Sequence, residues 1–490
     1  MSHLRRPSLF VVCLLVLGAA PVLEAGPPAL RIEVSPDGQQ VVVLEPSPTD
    51  SLVTTRGGAP FGTTPDWQNN LRRQVSSLEI GDLNNDGWND LAVGCYSSQS
   101  FPPYTDWENL IYYNTGSGTL PADPSWVSTD EVSTSDIKLG RLNADAYLDI
   151  FAGNGAGLAK NVIYFGGPAG PSPTPGWISN EPINCWTNAV TLFDIDHDGD
   201  LDVFTGNQGV SPTPFRRIYG FRNDGGVVNP TPYWQSDDES ITGGVDFADY
   251  DGDGWEDLAV SKWTNGHQSG VYKSAGGTLQ TLPVWTTGQS STERGALWSD
   301  LDGNGWPDLV IGHGPPQAYY NTNGILTLTW TAQTNSSAPQ DMRLADVDRD
   351  GDDDFVEIQF STGMVRLHMN NGGALETVPS WTYDSPGAGS ALAVGDLNGD
   401  NFPDLAVGNS GQPCIFIFFG QGPALCPGDM NCDGVVDFDD IDLFVEALGY
   451  SGPANWPHNC AWLNADCDAS GAVTFDDIDP FVARIGLSCP

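Results

Sequence analysis

Five acids crowd into nine residues at Asp249-Tyr250-Asp251-Gly252-Asp253-Gly254-Trp255-Glu256-Asp257. Their spacing points to cation chemistry. Side chains at the first, third and fifth positions place oxygens on one side of a tight turn, and glycine at the sixth permits the reversal. The seventh residue can offer its backbone carbonyl, and Asp at the ninth closes the shell. All the donors are oxygens, which suits Ca2+ with its roughly 6–8 flexible oxygen ligands, whereas Mg2+ takes fewer protein ligands and more water. Zinc requires His or Cys, and neither is placed to serve. Asp, Asn and Gly also make turns without metal. Repetition argues against that simpler reading, because several converging carboxylates repel one another without a cation.

The pattern recurs at intervals of 46–59 residues. The expected calcium ligands form six complete sets. They are Asp82, Asn84, Asp86 and Asp90; Asp194, Asp196, Asp198 and Asp202; Asp249, Asp251, Asp253 and Asp257; Asp300, Asp302, Asn304 and Asp308; Asp346, Asp348, Asp350 and Asp354; and Asp396, Asn398, Asp400 and Asp404. A further copy, from Arg141 to Asp149, is degenerate: Arg141 replaces the first Asp and Ala146 the glycine. This copy is expected to bind calcium weakly or not at all, with Arg141 pairing Asp145 or Asp149 in place of the ion.

Each copy needs strands to hold it. A short apolar strand precedes the loop, as in Ser77-Leu78-Glu79-Ile80, and another follows, as in Leu91-Ala92-Val93-Gly94. A third comes next, such as Leu110-Ile111-Tyr112-Tyr113-Asn114, and a fourth ends in Trp126, Trp177, Trp234, Trp285, Trp330 or Trp381. Four strands in a repeat near 50 residues read as a propeller blade, and seven copies read as seven blades. After the seventh loop only two strands remain, ending near Phe419, while Trp67 stands alone before the first loop. Residues near 63–68 are therefore expected to complete the last blade, which pairs the chain ends and removes two open sheet edges.

Runs such as Gly395-Asp396-Leu397-Asn398-Gly399-Asp400-Asn401-Phe402-Pro403-Asp404 resemble the FG-GAP/VCBS repeats of integrin-type propellers. The resemblance covers residues 61–424. It implies an all-β seven-bladed propeller with structural Ca2+ between the first and second strands of each blade. It implies no single activity, since such propellers occur in adhesion proteins, lectins and some polysaccharide lyases.

Residues 425–490 differ, with five cysteines and two new acidic loops. Expected ligands are Asp429, Asn431, Asp433, Asp437 and Asp440 in the first, and Asp466, Asp468, Ser470, Thr474 and Asp477 in the second. This is the 12-residue spacing of an EF-hand loop, with Asp for the usual Glu at the twelfth position. Ile441, Phe444, Val445 and Leu448, and again Ile478, Phe481, Val482 and Ile485, follow helical periodicity. Two loop–helix units with no helix before the first resemble a dockerin, a small α-helical module that docks on a cohesin. The positions that read cohesin in that family match Phe438, Asp439, Phe475 and Asp476, which depart from its small or hydroxylated residues. A cohesin-like docking partner is the expectation the resemblance carries.

Residues 1–25 read as an export signal: Arg5 and Arg6 precede the apolar run Leu9 to Ala20, and Ala25 ends a cleavage site. Residues 26–60 read as a linker. A secreted or cell-surface protein without a transmembrane anchor is expected. The eight cysteines beyond the signal suggest disulfides of undefined connectivity. The net charge of −44 argues against nucleic acid or an anionic membrane as partner. Roughly half of the 63 acids sit at proposed ligand positions, so calcium would relieve much of that charge.

On the face opposite the calcium loops, Arg72, Trp186, Asn207, Trp263, Arg294 and His313 mix aromatics, amides and cations, which suits a glycan or protein ligand. No G-x-S-x-G, HExxH or P-loop motif appears. A secreted, monomeric, non-catalytic binding or scaffold protein is the favoured expectation, with Ca2+ as its cofactor. A polysaccharide-acting enzyme such as a lyase, with Arg294 and His313 as the nearest candidates, is the alternative.

Overall fold

The computed structural model describes residues 60–421 and 426–488 apart from short stretches at 97–106, 117, 156–159, 183–184, 210–215, 265, 290–291, 335–336, 432–434, 451–457, 459, 461, 469 and 471, together with the backbone of 31–34 and 41–44. The export signal at 1–25 lies outside the described residues, as do Asp433, Cys432 and Cys489. The chain divides into two compact units, Met1–Thr54 and Thr55–Pro490. Within the first, and within the span read as a linker, Arg31–Val34 pairs antiparallel with Val41–Leu44.

In the second unit the described residues form seven four-stranded antiparallel sheets, one per acidic repeat. Blade 1 runs Val75–Gly81, Asp90–Cys95, Leu110–Tyr112 and Trp126–Val127, in that spatial order. Blades 2 to 6 repeat it from Thr134, Cys185, Thr242, Ala296 and Asp341. The second strands are the most apolar. Asp90–Cys95, Asp149–Asn154, Asp257–Lys262 and Asp404–Asn409 are buried along their whole length. Each lies mid-sheet and is covered on both faces by the neighbouring blades, so its sequence does not alternate. Blade 5 ends in a longer hairpin, Gln317–Thr322 with Ile325–Thr331. Its turn is Asn323-Gly324, with both residues at positive φ, the pair such a hairpin favours.

The ring closes as the stranded Trp suggests. Gly389–Gly395, Asp404–Asn409 and Ile415–Phe418 form blade 7 with Trp67–Gln68 as its outer strand, Trp67 opposite Ile417. Asn69 buckles the joint. Its carbonyl oxygen accepts from the Cys414 and Ile415 amides, and its amide donates to the Tyr112 hydroxyl of blade 1 at 3.0 Å.

Further contacts, which spacing alone does not show, hold blade to blade. The indoles of Trp67, Trp126, Trp177, Trp234 and Trp381 each donate to a carbonyl of the following blade at 2.8–3.1 Å. Asn114, Asn223, Asn321 and Asn370, which end third strands, donate backwards to the acidic loops of a preceding blade at 2.6–3.2 Å.

The C-terminal residues form two seven-residue helices, α1 (Ile441–Ala447) and α2 (Ile478–Arg484). Each follows a short 3-10 turn closed by reciprocal side-chain caps, Asp437 with Asp440 and Thr474 with Asp477. Phe444 and Phe481 stack at 4.2 Å in the core between them. The apolar periodicity only partly faces that core, since Val445 and Val482 are exposed on the surface. Cys426 and Cys460 each take part in a disulfide. Cys95, Cys185, Cys414 and Cys467 are buried free thiols, so an even cysteine count does not translate into full pairing. Cys95 and Cys414 are instead packed in an apolar cluster. Among the described residues no helix is long and apolar enough to cross a membrane.

Candidate functional site

The acidic loops adopt one geometry. The first Asp accepts from the amides of the fifth and sixth residues: Asp82 takes Asp86 at 3.1 Å and Gly87 at 2.9 Å. Asp194, Asp249, Asp300 and Asp346 do the same. The sixth position takes positive φ, +86° at Gly254. In the last loop Asn401 adopts +68° instead, a conformation Asn tolerates better than most residues. Carboxylate oxygens of Asp194, Asp196 and Asp198, of Asp249, Asp251 and Asp257, of Asp300, Asp302 and Asp308, and of Asp346, Asp348 and Asp354 lie within 4.8 Å of one another.

The ninth Asp does more than close a shell. One oxygen of Asp90 accepts from Leu83 in the loop, and the other from Asn114 at the end of the third strand. Asp308, Asp354 and Asp404 repeat this. All are fully buried. Burial, reinforced by the neighbouring loop carboxylates, pushes Asp90 and Asp308 up to about 6, Asp202, Asp257 and Asp404 to about 7, and Asp354 to about 8. Asp202 Oδ2, Asp257 Oδ2, Asp196 Oδ1 and Asp251 Oδ1 are buried without a hydrogen-bond donor. An all-oxygen donor set with orphaned acceptors fits a hard divalent cation.

In the degenerate loop the expected ion pair of Arg141 with Asp145 or Asp149 does not form. Arg141 donates to the Ala146 carbonyl at 3.1 Å and does not pair with Asp149. Both oxygens of Asp149 are already taken, by the Leu142 and Gly166 amides. Two other loops contain a cation of the chain's own. Arg222 contacts Asp196 and lies 3.7 Å from Asp202. Lys273 contacts Asp251 and lies 3.0 Å from Asp253. The signal was present in the sequence, at the residue next to last in each third-strand segment. There the seven blades carry Tyr113, Phe165, Arg222, Lys273, Tyr320, Met369 and Phe419.

In the C-terminal part Asp466, Asp468 and Asp477 also bring carboxylate oxygens within 4.8 Å. Asp466 accepts from the Ser470 amide, and Asp477 from the amides of Asp468 and Thr474. In the first loop Asp440 accepts from Met430, Asn431 and Asp437, so it organises a ring of backbone that includes two expected ligand positions. Asp429 is buried beside it.

The inner ends of the blades converge on a cavity of ≈ 380 Å³. Five inner strands carry a register shift at their start, at Ser76, Ser135, Asn188, Gly243 and Ser390. Every one of these five residues lines the cavity. The extra residue at each bulge brings that position to the cavity wall, as bulges beside binding sites commonly do. Trp186, Trp263 and Arg294 also line it, while Arg72, Asn207 and His313 are not among its lining residues. Asn207 is fully buried, bonded to Thr187, Thr205 and the Arg217 carbonyl. Sequence reading missed the deeper wall, where Asp136, Lys138, Asp341 and Arg343 project from first strands.

Residues 194–260, 300–357 and 346–407 match the FG-GAP-like repeat. The chain carries FG-GAP-like repeats in a seven-bladed β-propeller. No curated protein matches the chain. Among solved structures it is similar to a crystal structure of BBS1N in complex with ARL6DN, soaked with mercury. That likeness has 13% identity and TM-score 0.47 over 72% of this chain and 94% of that one. A lead-soaked structure of the same complex gives 12% identity and TM-score 0.48 over 73% and 97%. Likeness at this level says nothing about function. The FG-GAP-like match lies across blades 3 to 7, and the sheets show that blades 1 and 2 follow the same plan.

Proposed function

We propose that this is a secreted, calcium-stabilised, non-catalytic binding protein whose propeller recognises a glycan or an extracellular protein. The single observation that carries this reading is the cavity at the convergence of the blades. Aromatic side chains, amides and small bulged polar residues line it, the composition of a recognition pocket. The acidic loops serve the frame. Ca2+ would be held by the first, third, fifth and ninth positions, and its charge would offset the carboxylates crowded there. Residues 425–490 act as a dockerin-like attachment module. Their exposed Phe438 and Phe475, at matching places in the two units, offer an apolar contact to a docking partner.

Incubating the calcium-loaded protein with a panel of polysaccharides tests the reading. Depletion of protein from solution without new sugar ends is the expected result. New sugar ends would establish an enzyme and overturn it. No depletion by any glycan would leave a protein as the ligand.

A further inference from the structure

We propose that the propeller cavity binds the carboxylate of an acidic sugar, held by Arg294. The inference rests on the glycan reading above and narrows it to a chemical class.

Arg294 is the one charged group of the cavity wall whose charge is not committed among the described residues. Asp136 accepts from the Ser77 hydroxyl and the Val190 amide, both at 2.8 Å. Asp341 accepts from Met342 and Leu392, each at 2.8 Å, and pairs Arg343 at 2.5 Å. Lys138 pairs Glu79 at 2.5 Å. The guanidinium of Arg294 instead lies over the ring of Trp263, 3.4 Å from its centroid. A stacked guanidinium donates through its edge, so its forked N–H groups stay available to a planar two-oxygen acceptor. Burial alone lowers the pKa of Arg294 to about 10, with no carboxylate opposing the shift.

The wall is also electrostatically unlike the rest of the molecule. Its lining carries Lys138, Arg294 and Arg343 against Asp136 and Asp341, and Glu79, which pairs Lys138, brings the two signs into balance. The whole chain has 19 basic residues against 63 acids. A wall in charge balance, set in so acidic a protein, leaves the guanidinium of Arg294 as the charge that can meet an anion.

The rest of the lining selects a sugar to carry that anion. Trp186 stacks on Tyr96 with ring centroids 5.8 Å apart, and Asn188 and Gln208 stand beside it. Aromatic faces and amides suit pyranose faces and hydroxyls. A volume of ≈ 380 Å³ holds one or two sugar units and is too small for a folded partner's surface.

The test compares a tetramer of galacturonate with its fully methyl-esterified form, which differs mainly in charge. Binding to the intact calcium-loaded protein is followed by calorimetry and tryptophan fluorescence. The acid is expected to bind about tenfold or more tightly than the ester, a ratio typical of one charge-assisted bidentate contact. Arg294→Gln should abolish the preference and Arg294→Lys should keep part of it, with melting temperatures confirming folded variants. Equal or tighter binding of the ester by the wild-type protein would overturn the proposal while leaving a neutral-glycan reading intact. A preference that survives in folded Arg294→Gln would place the anion elsewhere, on loop-bound calcium, and would also overturn it. Tighter binding of glucose 6-sulfate than of glucuronate would replace carboxylate by sulfate as the class. Failure of every glycan tested, neutral or acidic, would remove the glycan reading itself.

Discussion

The indole N–H of Trp126 in blade 1 donates to the carbonyl of Pro171 in blade 2, 2.8 Å away. The same latch recurs around much of the ring. Trp67, Trp126, Trp177, Trp234 and Trp381 each open the fourth strand of their blade instead of ending it, and each joins its own sheet to the next. Trp330 breaks the rule, because its indole nitrogen is buried without a partner.

Trp126→Phe keeps most of the ring volume and removes one buried hydrogen bond, leaving the Pro171 carbonyl unsatisfied. A loss of about 1–3 kcal/mol is expected. Trp330→Phe removes a donor that has no acceptor and should cost less. Chemical denaturation of both variants checks the contrast, and equal losses would contradict the latch.

Removing the chain up to and including Gln68 leaves blade 7 with three strands and uncovers the edge of Ile415–Phe418. An open apolar edge invites pairing with another chain. The truncated protein should lose several kcal/mol, from a few strand hydrogen bonds at about 1 kcal/mol each and the burial of Phe61 and Trp67, and associate at moderate concentration. Light scattering and hydrogen exchange at Phe416 and Ile417 report the outcome. A monomer with unchanged protection would mean that the outer strand does not close the ring.

Six buried ninth-position aspartates have folded pKa values raised to about 6–8, against an ordinary value of 3.8. A carboxyl shifted upward binds more protons in the folded state than in the unfolded state across that window. Its contribution is therefore full below about pH 4 and is lost as pH rises through the folded value. In chelator the melting temperature should fall from pH 5 to pH 8. In excess Ca2+, which holds the ionised form, the fall should vanish or reverse. A chelated protein that is more stable at pH 8 would show that these carboxylates do not limit it.

Lys273 lies against Asp251 and Asp253, so a cation entering that loop must displace it. Lys273→Met should weaken the calcium-free protein and tighten one calcium site severalfold, with no loss of stoichiometry. Arg222→Met should do the same one blade earlier. Calorimetric titration with Ca2+ shows the change, and an unchanged isotherm in both variants would contradict it.

Phe438 and Phe475 are 74% and 76% exposed, whereas Phe444 and Phe481 stack in the core. Alanine at either of the first two should leave stability within about 0.5 kcal/mol. Alanine at either of the second two should cost about 3–5 kcal/mol. Thermal melts of the four variants test this, and a large loss at Phe438 would show that it packs against the protein.

The blade count, the acidic turns and even the ring closure were legible in the sequence, because each depends on local signals repeated at a fixed interval. Gly254 and Asn401 mark reversals through their own backbone, and Trp67 is conspicuous as a strand without a sheet. The tertiary structure decided whatever depends on residues far apart in the chain coming together. Asn114 lies 283 positions from the Leu397 carbonyl that it bonds, a pairing set by ring closure and not by any local pattern. Asn207 reads as a face residue, yet it folds inward because its amide satisfies buried backbone. Arg222 and Lys273 reach the acidic loops of their own blades only once the third strand lies beside the second. The cavity was legible only in part: Trp186, Trp263 and Arg294 read as face residues and do line it, while its Asp136, Lys138, Asp341 and Arg343 carry no such signal. It forms because seven inner strands end around one axis, and bulges in five of them, which follow from the register between paired strands, bring one more residue each to its wall.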